Sequence, residues 1–333
     1  MAILFKTIDD LKKYISVTKS YDIEEFGTKV DFAVNKYLKK WLGKTQLDAI
    51  IAAYDASPGT PLTTQQQLLV DKIQPSLAHF VFYEHIPYAQ IVIDDSGITR
   101  KENENYKTAY ANQITKLSQS AITSGYDTLE MLLGFMEDNE ADYPLWTNDD
   151  AYTKNKEFFI NSSVDFAEQY PITRGRQTFK SLFPIMRDVE SFYITQCLGQ
   201  LFYDELKAKI LNKTPFTSKE TILIGFIKKA ISFLSISRGV KNGWVKYNSS
   251  GVISSGHTDE SNFITEETAT NEQASLKVRE TETTGEMYLT RVKDYLKANS
   301  SDFPTWENDP EVNPPADETD CGLSSSGGNQ LWF

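Results

Sequence analysis

The chain repeats itself, and this constrains its architecture more than any single motif does. Slid against itself, Val30–Ile50 aligns with Met186–Leu206, so that Tyr37, Leu42, Gly43 and Asp48 recur as Tyr193, Leu198, Gly199 and Asp204, 156 residues on. Leu62-Thr63-Thr64 corresponds to Phe216-Thr217-Ser218, and Ser96-Gly97-Ile98 to Ser250-Gly251-Val252, both 154 residues on. Tyr143-Pro144-Leu145-Trp146 returns as Phe303-Pro304-Thr305-Trp306, 160 on, each downstream of Ser124-Gly125 or Thr284-Gly285. Four matches in one order, with offsets that drift by a few residues, describe a tandem duplication with small loop insertions.

Each copy reads as helical. Thr7 with Asp10 three residues on has the form of a capping box ahead of a short helix. Phe26, Val30, Ala33, Val34, Tyr37, Leu38 and Trp41 follow three- and four-residue steps, which predicts one helix over about 24–42 ended by Gly43. The pattern resumes over 47–54, breaks at Ser57-Pro58-Gly59-Thr60-Pro61, and starts again at Thr63 or Thr64 for a long helix to about Tyr83. Gln90–Ile93 and Ile98–Arg100 flank Asp94-Asp95-Ser96-Gly97, a β-hairpin signal that recurs with Trp244–Tyr247 and Val252-Ile253. After each hairpin we expect two helices, Tyr106–Ser120 then Thr128–Met136, and Glu266–Glu280 then Met287–Leu296.

The fold class is therefore mainly α with short β-hairpins, in two tandem similar helical domains. The first repeat spans 1–148 with its hairpin near 90–100, and the second spans 156–306 with its hairpin near 244–253. Residues 307–333 form a tail: Glu307–Asp320 holds six acidic residues, no basic ones and three prolines, which cannot build a core. The tail ends in Leu331, Trp332 and Phe333, an apolar tip that reads as a candidate partner-docking peptide or as a frayed terminus.

Searching the repeat for chemistry nominates little. His79 and His85 lie six apart on different faces of one helix, not the four apart of a metal-binding helix, and His257 stands alone. Cys197 falls on an apolar helical stripe aligned with Trp41, and Cys321 sits in the acidic tail, where negative neighbours blunt a thiol. No phosphate loop, dinucleotide fingerprint, nucleophile elbow or Cys-x-x-Cys pair occurs. Glu24-Glu25, Glu137-Asp138 and Asp149-Asp150 read as solvated charge at helix ends. We expect no catalytic residue, metal or cofactor, and no enzyme. The formal charge of −12, from 46 acidic against 34 basic residues, opposes tight binding of nucleic acid. Two cysteines and no export signal point to the cytosol, and the longest apolar stretch, near Thr221–Ile236, is interrupted by Lys228 and Lys229.

The opening Leu4-Phe5-Lys6-Thr7-Ile8-Asp9-Asp10-Leu11-Lys12-Lys13-Tyr14-Ile15, followed by Ala33–Leu38 and Leu42-Gly43, resembles the helical head–tail connector (adaptor) proteins of tailed bacteriophages. The likeness covers the first 100 residues and again roughly 156–255. It implies a virion structural protein of the neck, assembled in the host cytoplasm, self-associating into a ring that docks on the portal protein and meets other connector or tail proteins. DNA would pass nearby without tight binding, and no membrane is involved. The acidic balance suits a channel wall, since like charge repels phosphate over about a Debye length, ~10 Å. A second reading is a tandem ligand- or glycan-binding module, drawn from the 17 Tyr and 5 Trp.

Overall fold

A computed structural model describes residues 4–16, 23–57, 59–89, 91–95, 97–100, 109–173, 175–248, 251–254, 271–310 and 312. They form two compact units that divide between Lys156 and Glu157. Both units are mainly helical, with one two-stranded antiparallel hairpin each. Among the described residues no helix is long and apolar enough to cross a membrane.

Unit 1 opens with α1 (Ile8–Lys12). Thr7 and Asp10 cap it reciprocally: the Thr7 hydroxyl accepts from the Asp10 N–H and the Asp10 carboxylate from the Thr7 N–H. Next, α2 (Ile23–Ala33) runs through one wide π turn (Val34–Leu38) into α3 (Lys39–Leu42). Beyond Gly43 come α4 (Lys44–Ala56), then α5 (Thr64–Ala89), whose start is held by the Thr63–Gln66 pair. The hairpin β1 (Ile91–Asp94) and β2 (Gly97–Arg100) follows, then α6 (Ala111–Asp138), a 3₁₀ turn (Glu140–Asp142), α7 (Pro144–Thr147) and α8 (Asp150–Lys156). Here α5 and α6 form the central pair, with Leu77, Phe80, Leu132 and Met136 buried between and around them. The Tyr37 ring stacks on Phe80 at 4.2 Å, and Tyr126 meets the same ring edge-on at 5.0 Å.

Unit 2 begins with α9 (Ser163–Gln169) and α10 (Gly175–Ser181), then takes the same path. It runs α11 (Phe183–Val189), a π turn (Glu190–Ile194), α12 (Thr195–Leu198), Gly199, α13 (Gln200–Leu211) and α14 (Ser218–Lys241). The hairpin β3 (Val245–Asn248) and β4 (Gly251–Ser254) leads to α15 (Asn271–Ala298), a 3₁₀ turn (Ser300–Asp302) and α16 (Pro304–Glu307). Thr217 and Glu220 cap α14 as Thr63 and Gln66 hold α5, 154 residues apart.

Three expectations need correction. The two helices expected after each hairpin are one, because Gly125 and Gly285 are mid-helix contacts and not caps. A Cβ at Gly125 would stand 2.7 Å from the Phe80 ring, and one at Gly285 would stand 2.6 Å from Leu234, the residue equivalent to Phe80. The missing side chain lets the long helices approach closely, so the break in pattern marks packing. The single helix expected over 24–42 contains the π turn, which inserts a residue without stopping the helix. The first unit also continues past 148 to Lys156, since Tyr152 of α8 packs on Trp146 with ring centres 4.5 Å apart.

Candidate functional site

Two of the segments that both units keep, Leu42-Gly43 or Leu198-Gly199 and the aromatic-Pro-x-Trp stretch, meet at one place, the start of the helix after Gly43 or Gly199. These glycines have φ +73° with ψ 161° and 155°, a conformation open essentially to glycine alone. In unit 1 the Trp146 indole N–H donates to the Trp41 carbonyl at 3.0 Å; in unit 2 Trp306 donates to the Cys197 carbonyl at 3.1 Å. Three residues later, Asp149 and Asp309 lay their carboxylates against the Cα of Gly43 and Gly199, where any Cβ would overlap them. Each carboxylate thus sits at the N-terminus of a helix, α4 or α13, whose glycine cap offers no side chain of its own, and negative charge there is favourable. Asp149 also accepts from the Ala151 N–H at 2.9 Å and so starts α8.

This clasp was legible further than we expected. The aromatic-Pro-x-Trp match continues as Trp146-Thr147-Asn148-Asp149 and Trp306-Glu307-Asn308-Asp309, still at 160, but Asp149 reads as solvated charge when its neighbour Asp150 is considered with it. Asp309 is buried. Replacing Trp306 by Phe keeps the ring and removes the donor, leaving the Cys197 carbonyl without that bond. We expect a loss of about 1–2 kcal/mol in denaturant unfolding, against a few tenths for an exposed control such as Trp244→Phe.

Other predicted positions are structural or lie elsewhere. Cys197 is buried, aligned with Trp41 through their shared role as carbonyl acceptors, and burial pushes its thiol up. His85 is buried with its ring 4.5 Å from Phe26, while His79 is half-buried and held below its ordinary pKa by desolvation. No group of three or more metal-ligating side chains occurs among the described residues. Leu331, Trp332, Phe333, Cys321 and His257 lie outside the described residues.

Two further features stand out, one in each unit. In unit 2, Glu190 is 2% exposed at the start of the π turn. It accepts from the Phe159 N–H at 2.9 Å, the Tyr203 hydroxyl at 3.1 Å and the Lys207 ammonium at 2.7 Å. Burial raises its pKa, and Lys207, Phe159 and Tyr203 offset this only in part. The matching residues of unit 1 are Val34, Leu47 and Ile51. In unit 1, a polar cleft of about 500 Å³ is lined by Lys6, Asp10, Tyr14, Tyr54, Asp71 and Gln74, among others. Lys6 donates to Ser57 and lies over the Tyr54 ring, and Gln74 bridges the Tyr14 hydroxyl to the Leu4 carbonyl.

Fold and clasp together define a tandem-unit helical protein whose repeated positions are packing devices. The chain belongs to DUF6712, a family of unknown function, whose model matches it twice, over residues 38–156 and 194–316. Each match contains one clasp. No curated protein and no solved structure matches the chain.

Proposed function

We propose that this chain is a structural subunit of a tailed-bacteriophage neck, a head–tail connector (adaptor) that self-associates into a ring, docks on the portal protein and joins it to the tail. The observation that carries the reading is where the resemblance falls. Ala33–Leu38 and Leu42-Gly43, which with the opening segment resemble connector proteins, make up the π turn and the helix end that the clasp holds, and both units build this element. What the duplication preserved is thus a scaffold: a capped long helix, a close helix pair and a clasped helix start. Duplicated rigid scaffolds suit closed assemblies, in which each subunit must offer separate surfaces to two neighbours. The net charge of −12 suits a wall past which DNA slides.

The test is quantitative mass spectrometry of density-purified phage particles from the source culture, with the portal protein as internal standard. A fixed ratio to the portal of one, or of one half if each tandem pair fills two equivalent positions, is the expected result. A chain absent from particles and found in the lysate would overturn the reading. The polar cleft of unit 1, with two tyrosines and paired charges on its walls, would then favour the ligand- or glycan-binding alternative.

A further inference from the structure

We propose that the outer edge of β2 in unit 1 is the seat for an extended segment of a second copy of this chain, its residues 329–333. The inference rests on the ring-subunit reading for the presence of neighbouring copies. It starts from a difference between two equivalent hairpins. Their register is the same: Asp94 pairs with Gly97 and Asn248 with Gly251 next to the turn, and one residue further Ile93 pairs with Ile98 and Tyr247 with Val252. Successive pairs of an antiparallel ladder alternate between facing their partner and facing outward, so the Ile98 and Val252 backbone groups point the same way, away from the hairpin.

In unit 2 that direction is filled. Ile172 pairs with Val252 in parallel, and Thr173 gives the Val252 carbonyl both its backbone N–H at 2.9 Å and its hydroxyl at 2.8 Å. The Tyr170 and Tyr247 hydroxyls meet at 3.2 Å beside them. Val252 is consequently 1% exposed. In unit 1, Ile98 at the same place is 72% exposed, and among the described residues no backbone group of another element bonds to β2. An open strand edge with an apolar side chain on it is a template for strand addition, and in unit 2 a one-residue parallel bridge occupies the same position.

Charge and composition select the occupant. The hairpin turn carries Asp94 and Asp95, so the acidic part of the chain beyond Val312, with Asp317, Glu318 and Asp320, would be repelled there. Residues 321–333 carry no charged side chain, and Leu331-Trp332-Phe333 are bulky apolar residues, two of them aromatic strand formers. Beyond Val312, residues 313–333 count 21, enough to reach about 70 Å when extended. Edge on one copy and segment on the next make a heterologous contact, the kind that closes rings.

The experiment measures self-association of the full chain across a concentration series by sedimentation velocity, with hydrogen exchange of the β2 amides read on the same samples. Two variants accompany it, a deletion of residues 329–333 and Ile98→Asp; Ile98 is exposed, so its replacement leaves the unit 1 core untouched. The full chain is expected to associate, each variant to weaken association by about tenfold or more in Kd, and the deletion to remove exchange protection at Ile98 and Arg100. A full chain that stays monomeric overturns the proposal. So does association that survives the deletion, or β2 protection that is the same with and without residues 329–333. Association lost on Ile98→Asp but kept by the deletion would mean that another strand uses the edge, which also overturns this occupant. The connector reading fails by a different readout, the absence of the chain from particles.

Discussion

Replacing Gly199 by alanine is expected to destabilise unit 2 by about 3–5 kcal/mol, among the largest effects any single methyl group has in this protein. Two costs add. The backbone at φ +73°, ψ 155° is closed to a residue with a Cβ, at about 1–3 kcal/mol. The new methyl also overlaps the buried Asp309 carboxylate, and overpacking of that kind costs about 1–3 kcal/mol more. For a unit of this size the loss lowers Tm by about 6–20 °C. The two costs separate in a double-mutant cycle with Asp309→Ala, which removes the overlapping carboxylate but not the backbone strain. Coupling of more than about 1 kcal/mol would confirm that the carboxylate sits against this Cα, and additive effects would contradict it. Hydrogen exchange read separately on peptides of the two units assigns the loss to unit 2, and Gly43→Ala should act likewise on unit 1.

The second large effect concerns the buried Glu190. Truncating Lys207 to alanine leaves a carboxylate that is 2% exposed without its cation, and breaking such a pair costs about 3–5 kcal/mol. The repeat supplies the contrast. Unit 1 fills the same three positions with Val34, Leu47 and Ile51, so the triple change Glu190→Val, Tyr203→Leu, Lys207→Ile writes an apolar solution already in use into unit 2. It is expected to leave stability near wild type or raise it by about 1–4 kcal/mol, as replaced buried ion pairs often do. Loss comparable to the Lys207→Ala variant would show that the triad does more than fill space, for example by holding the Phe159 N–H. pH gives an independent check. Because the folded protein holds the Glu190 proton more tightly than the unfolded chain does, the contribution of this group is complete below the ordinary carboxyl value of 4.5. It is lost as pH rises through the raised value in the folded state. The triple variant should lack that component of the stability–pH curve.

What could be read along the chain was whatever recurs in order or at short range. The Thr7–Asp10 and Thr217–Glu220 boxes are contacts three residues apart, and hydrogen bonds of that span are written in local spacing. The hairpin turns likewise follow from residues at or next to the turns, at 94–97 and 248–251. The gap expected between two helices falls around Gly125 and Gly285, since a glycine locally weakens a helix, and only the Phe80 ring or the Leu234 side chain pressed against it explains a helix that continues. Residues 157–181 have no counterpart in the aligned segments, so the cover they provide to Val252 was invisible in the repeat.

The sequence by itself determined the tandem plan, the helical class and the hairpins, because periodic burial and turn chemistry depend on neighbours a few positions away. Tertiary structure alone decided that Asp149 and Asp309 close on glycines more than 100 residues earlier, that Glu190 is buried on Lys207, and that of two hairpins with one register Val252 is covered while Ile98 is bare. Those outcomes rest on which distant surfaces meet, and the energy of such a contact belongs to both partners at once.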